Sequence, residues 1–312
     1  MSSVQQRAAP PIELKPSPVR TAGQILPVPR AFRPLLRSPV RLLGLVILVF
    51  FVIVAIGAPV IASADPNSGD LLSRLAAPAL LGGSNPAFPL GADELGRDIL
   101  TRILYGARVS LLVGLASVAI AGTVGVSLGL ITGYYGGALD AVIMRIADIQ
   151  LAFPFILLAI SVLAVLGPGL WNVILVLGVG GWVGYARIIR GQVLAQKERD
   201  YITAARTIGV PNRVILVRHL LPNCVTPVIV VATFAVANNI IAEAGLSFLG
   251  LGVGVEIPTW GAMLSEGRSY LDTAWWLGTF PGVAIFLVVL SINLLGDWVR
   301  DLLDPRMRNV MR

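Results

Sequence analysis

The chain has one cysteine and one histidine in 312 residues, and only 13% of its residues are charged. The single thiol, Cys224, excludes an intrachain disulfide and a cysteine metal cluster, which leaves packing as its expected use. His219 by itself cannot build a multi-histidine metal centre, and it gives a Ser-His-Asp triad no alternative base. No phosphate loop of the form GxxxxGK followed by Ser or Thr occurs, and Gly245, Gly250 and Gly252 do not follow the GxGxxG pattern. No catalytic residue, metal site or cofactor is therefore expected in this chain.

What the chain has instead is apolar length. With 56% hydrophobic residues, a soluble domain would have too little polar surface, so the composition is that of a membrane protein. Uncharged runs cover 42–63, 109–133, 149–186, 220–242 and 273–296. Each can cross a hydrocarbon core of about 30 Å at about 1.5 Å per residue. The third run, 38 residues long, exceeds one crossing, and Gly167-Pro168-Gly169 supplies turn residues in its middle. Six transmembrane helices are expected, in an all-α fold.

Orientation is read from basic residues, which favour cytoplasmic loops. With the amino terminus inside, that face receives nineteen of the 24 Lys and Arg, and the other face receives Arg74, Arg97, Arg102, Arg108 and Arg268. Both termini are thus expected in the cytoplasm, and Asp93 and Trp260 outside. The net charge of +7 is topological, with anionic membrane lipid as its partner and no nucleic acid. Ala62-Ser63-Ala64 has the form of a cleavage site. The 22-residue run before it is too long for a signal peptide's apolar core of about 7–15, so the first span reads as an uncleaved anchor.

Residues 1–38 are rich in Pro, Arg and Ser and are expected to be a mobile cytoplasmic tail, with room for a surface helix at 33–37. In the first outer loop, Pro66 to Gly69 and Gly82 to Pro86 have turn composition. The spacings Gly125 with Gly129 and Gly180 with Gly184 suit close helix approach, within this chain or against a similar subunit. Arg145 and Asp148, three apart, are expected to pair on one helix face. Glu243 is expected near water at the outer end of span five, with no proton path assigned to it.

Between two apolar runs lies the stretch 198–222, read as a two-helix hairpin. Ala204 and Ala205 give its first helix a close-packing side, Gly209 permits a turn, Pro211 opens a second helix and Pro222 ends it. Such a hairpin can enter a groove on a soluble partner, with Arg206, Arg213 and Arg218 meeting acids or lipid phosphates, or it can rest on lipid. A gradient-driven secondary transporter would bury acids or break helices at mid-membrane, which the uncharged runs disfavour.

The pattern Ala204-Ala205, Gly209 and Leu221-Pro222 resembles the EAA loop of binding-protein-dependent ABC importer permeases, with Thr203 at the position of the family's Glu. Residues 91–98 (GADELGRD), Tyr105 to Arg108, 140–154, 243–250, 258–261, Asn293 to Asp297 and Asp304-Pro305-Arg306 resemble the second, C-type permease of dipeptide, oligopeptide and nickel importers. The resemblance implies a six-helix subunit of a bacterial inner membrane. Residues 39–107 would hold the first helix and outer loop, 108–306 the importer transmembrane domain, and 307–312 a cytoplasmic tail. It implies that Thr203, Ala204, Ala205, Arg206, Gly209, Pro211, Arg213, Leu221 and Pro222 form the ATPase-coupling element. The implied partners are a homologous second permease, two ATPase subunits that hold ATP and Mg, and an extracytoplasmic substrate-binding protein. Peptide is the expected cargo, ahead of nickel or another solute, because imidazole and soft ligands are few.

Overall fold

In the computed structural model the residues described are 38–62, 65–83, 85–254 and 256–303. The tails expected at 1–38 and 307–312, the surface helix at 33–37 and Asp304-Pro305-Arg306 lie outside them, Ser38 excepted. So do Ser63 and Ala64 of the cleavage-like site. The described residues form helices and no strand, with a single antiparallel bridge from Ala92 to Asp98.

Among the described residues, five helices are long and apolar enough to cross a membrane. They are α1 (Pro39–Ile61), α2 (Ile99–Tyr135), α5 (Leu170–Gln196), α7 (Asn212–Phe248) and α9 (Trp276–Leu303). Between α2 and α5 lie α3 (Gly137–Leu151) and α4 (Phe155–Leu166). Two short helices, α6 (Asp200–Thr207) and α8 (Trp260–Gly267), occupy opposite ends of the bundle. The split of the long third run at Gly167 to Gly169 is where the sequence places it.

The third of the six expected spans is formed by two helices. Only together are α3 and α4 long and apolar enough to cross, and they meet at 89°. Pro154 stands between them and disfavours helical geometry at Phe153. At twelve residues, α4 is about 18 Å long and cannot cross by itself. Side chains of α3 reach α5 at three levels. Arg190 donates to both oxygens of Asp140 at 2.6 and 2.7 Å, and Arg187 donates to Asp148 at 2.6 Å. Gln150 then donates to the Gly180 carbonyl at 2.6 Å and accepts from the Trp182 indole at 2.8 Å. Asp148 thus pairs with Arg187 rather than with Arg145, which is exposed.

The core is built on α2 against α5. A Cβ at Gly129 would lie 2.5 Å from the Ala186 carbonyl, and one at Gly133 would lie 2.8 Å from the Val193 Cβ. Gly125 makes the same approach to Trp182 and Tyr185. The glycine stripe of α2 therefore serves packing within this chain. On α5, Gly180 packs closely on the Phe155 ring of α4, and Gly184 meets nothing within this chain. Gly178, against Ile120, makes the close approach to α2.

Glu243 on α7 is fully buried, not near water. Ser247, one turn on, donates to it at 2.7 Å, and Ser110 of α2 lies 3.3 Å away. Two hydroxyls from different helices make this burial tolerable, since an unpartnered carboxyl there would be costly.

Candidate functional site

At the α8 end, Asp98 opens α2 by accepting from the Leu100 and Thr101 amides at 3.3 and 2.9 Å. One turn later Arg102, 1% exposed, enters a buried ion cluster. Its Nη1 donates to Asp93 and to Glu266, each at 2.6 Å. Arg97 donates from Nε to Asp93 at 2.6 Å and from Nη2 to Glu266 at 3.2 Å. Two cations face two carboxylates, so the buried charge closes to zero. Glu94 sits beside them with its carboxyl pushed up, by burial first and then by the charges of Glu266 and Asp93.

Trp260 locks the same region. Its indole donates to the Ile103 carbonyl at 3.0 Å, and its ring lies against Gly106, where a Cβ would come within 2.7 Å of it. Three of the segments that carry the C-type resemblance, 91–98, 105–108 and 258–261, thus help join the loop before α2, α2 itself and α8 into one block. Asp93 and Trp260 are buried there, 2% and 0% exposed, so they are not the surface positions that a labelling experiment needs. No sequence signal joined Glu266 to Arg102, which are 164 positions apart.

The α6 end holds the expected coupling residues. Gly209 has φ +81°, a left-handed conformation that suits glycine, and a Cβ there would meet nothing. Its amide donates to the Arg206 carbonyl, and the Val210 amide donates to the Ala205 carbonyl, both at 3.0 Å. This is a Schellman ending, with Val210 closing on Ala205. The phase of α6 sorts the site. Ile202 and Ala205 face the bundle, while Thr203, Ala204 and Arg206 are exposed. Ala205 lies one turn from Ile202 on the same buried stripe.

Pro211, Arg213 and Pro222 are exposed and Leu221 is half-buried. The second arm does not end at Pro222. It runs on into α7 through a π-helical turn over Ile215–Leu220, where the Leu221 amide donates to the Leu216 carbonyl five residues back. The wider turn absorbs the clash that a proline ring makes with the carbonyl four residues before it. The hairpin is therefore a short helix, a glycine turn and the first turns of a membrane-spanning helix.

Sequence reasoning missed Tyr134, at the end of α2. Its hydroxyl donates to Asn212 Oδ1 at 2.7 Å, and the Arg206 guanidinium lies 5.0 Å over its ring.

A bundle of long apolar helices of this kind is that of an integral-membrane protein. Residues 125–309 match the family model of the binding-protein-dependent transport system inner membrane component, and residues 27–78 match the N-terminal transmembrane domain of oligopeptide transport permease C. The chain belongs to this family of ABC importer permeases, and it is a multi-pass inner-membrane protein. It is 43% identical to the di/tripeptide transport system permease protein DppC of Pseudomonas aeruginosa over 85% of this chain and 88% of that one. It is 41% identical to the dipeptide transport system permease protein DppC of Alkalihalophilus pseudofirmus over 94% and 95%. Among solved structures, the inward-facing MetNI methionine ABC transporter matches with a TM-score of 0.52 at 22% identity, over 64% of this chain and 96% of that one. That likeness shows the fold. The family membership favours an importer permease over a gradient-driven transporter.

Proposed function

We propose that this chain is the C-type permease subunit of an ATP-driven importer for di- and oligopeptides. It forms half of the translocation pathway beside a homologous, different permease, and an extracytoplasmic binding protein delivers the solute. Two cytoplasmic ATPase subunits bind ATP and Mg and dock on α6, so this chain hydrolyses nothing itself. The observation that carries this reading is the sorting of α6, with Ile202 and Ala205 anchored in the bundle and Thr203 and Ala204 exposed beside Arg206, which lies over the Tyr134 ring. The names of the relatives supply the cargo class.

The reading is tested by reconstituting the chain with the partner permease, the ATPase subunits and the binding protein in liposomes. Di- or tripeptide uptake is expected only with ATP and only with every subunit present. Uptake by this chain without ATP, driven by an imposed ion gradient, would contradict it.

Both termini and α6 lie in the cytoplasm in this reading, and the α8 end lies outside. Cysteines at Leu72, 97% exposed, and Ile208, 78% exposed, suit a labelling test, since the native Cys224 is buried. An impermeant thiol reagent should mark Leu72→Cys in intact cells and Ile208→Cys only after the membrane is opened. The reverse pattern inverts the topology.

A further inference from the structure

The α6 reading leaves open how movement of so short a helix reaches the far side of the membrane. α2 is one unbroken helix of 37 residues, about 55 Å long, and its two ends are fixed to different blocks. Arg102 and Gly106, near its start, belong to the ion cluster and the Trp260 lock. Tyr134, near its end, meets both arms of the coupling segment, touching Asn212 by its hydroxyl and Arg206 by its ring. Tyr134 is 9% exposed and belongs to the same apolar cluster as Ile202 and Ala205. Neither α2 nor α5 contains proline, whereas α7 has Pro227 and a π-helical turn, and the third span is bent at Pro154. A stiff element held at both ends transmits displacement where a bent one absorbs it.

We propose that Tyr134 is the positioning residue that joins the coupling segment to α2, so that displacement of α6 is delivered along α2 to the ion cluster at the outer end. This rests on the reading of α6 as the docking helix. The hydroxyl fixes the direction of the joint through Asn212, at the first position of the second arm. The ring holds the first arm through the Arg206 cation. One side chain therefore grips both sides of the Gly209 turn, and the turn moves with α2 as a unit.

The test uses the complete reconstituted importer and reads tripeptide transported per ATP hydrolysed, together with retention of the ATPase subunits. Tyr134→Phe and Asn212→Ala each remove the same hydrogen bond and should each lower transport per ATP about fivefold. The double variant should fall no further than either single one, because the two act as one contact. Tyr134→Leu also removes the ring beneath Arg206 and should lower the ratio about tenfold or more. In all of these the ATPase subunits should remain bound. An unchanged ratio in Tyr134→Phe and Asn212→Ala, multiplying effects in the double variant, or release of the ATPase subunits by Tyr134→Phe would each overturn the proposal. Should Tyr134→Leu fail to insert, the Asn212→Ala variant decides, since that residue is exposed at the surface. Failure of the underlying docking reading is seen separately, as retention of the ATPase subunits when the exposed Ala204 is changed to Arg.

Discussion

Gly209→Val should abolish uptake while leaving the chain inserted in the membrane and paired with its partner permease. The position has φ +81° and open space around it, so a new side chain meets no obstacle and the whole effect comes from the backbone. A left-handed conformation costs an ordinary residue about 1–2 kcal/mol, and a β-branched residue is disfavoured further. Each 1.4 kcal/mol is about tenfold in population, so the Schellman turn that sets the α6 face is weakened about tenfold or more. Asn tolerates this conformation, and Gly209→Asn should retain most of the uptake. The measurement is peptide uptake beside recovery of ATPase subunits with the purified complex. Equal uptake in the Val and Asn variants would show that the turn's conformation does not matter.

Arg102→Ala should be the most destabilising single change at the other end. It leaves Asp93, 2% exposed, with Arg97 as its remaining cation, and Glu266 loses its shortest contact. Removing one member of a buried ion cluster costs about 3–5 kcal/mol, because the partner charge stays buried without compensation. The expected result is a strong fall in the amount of chain in the membrane and in the thermal midpoint of the detergent-solubilised complex. Arg102→Ala combined with Asp93→Asn should recover part of the loss, since the double change removes the stranded charge. No loss of thermal midpoint in Arg102→Ala would show that the cluster is dispensable to the fold.

Much of the fold was legible because membrane crossing is written in composition. The runs 42–63 and 273–296 coincide closely with α1 and α9, and Gly167 to Gly169 separates α4 from α5. The start of α2 was not legible from charge. Arg102 and Arg108 ended the uncharged run at 109, yet the helix begins at Ile99, because Arg102 is neutralised by residues distant in sequence. The bend in the third span was signalled locally by Pro154, but its angle depends on Asp140, Asp148 and Gln150 finding α5.

At the coupling site, Gly209 and Pro211 were readable because left-handed turns and helix starts have strong residue preferences. The facing of Ala205 was readable in principle from its three-residue spacing to Ile202, a buried helical stripe. Pro222 was misread as a stop because a π-helical turn has no composition of its own. Glu243 carried half a signal, since Ser247 stands at i+4. Ser110 comes from another helix, and a single chain read in order does not reveal that pairing.

The central claim is that the exposed face of α6 is the docking surface of an ATPase subunit. It is tested most directly by attaching a photoactivatable cross-linker to cysteines placed at Ala204 and, separately, at Ala205. Ala204 is exposed and Ala205 is 7% exposed on the bundle side. In the assembled importer, Ala204→Cys should cross-link to an ATPase subunit in high yield, with the yield changing on ATP addition, and Ala205→Cys should cross-link within its own chain or not at all. Cross-linking of Ala204→Cys to lipid alone, or capture of the ATPase subunit equally from both positions, would contradict the account.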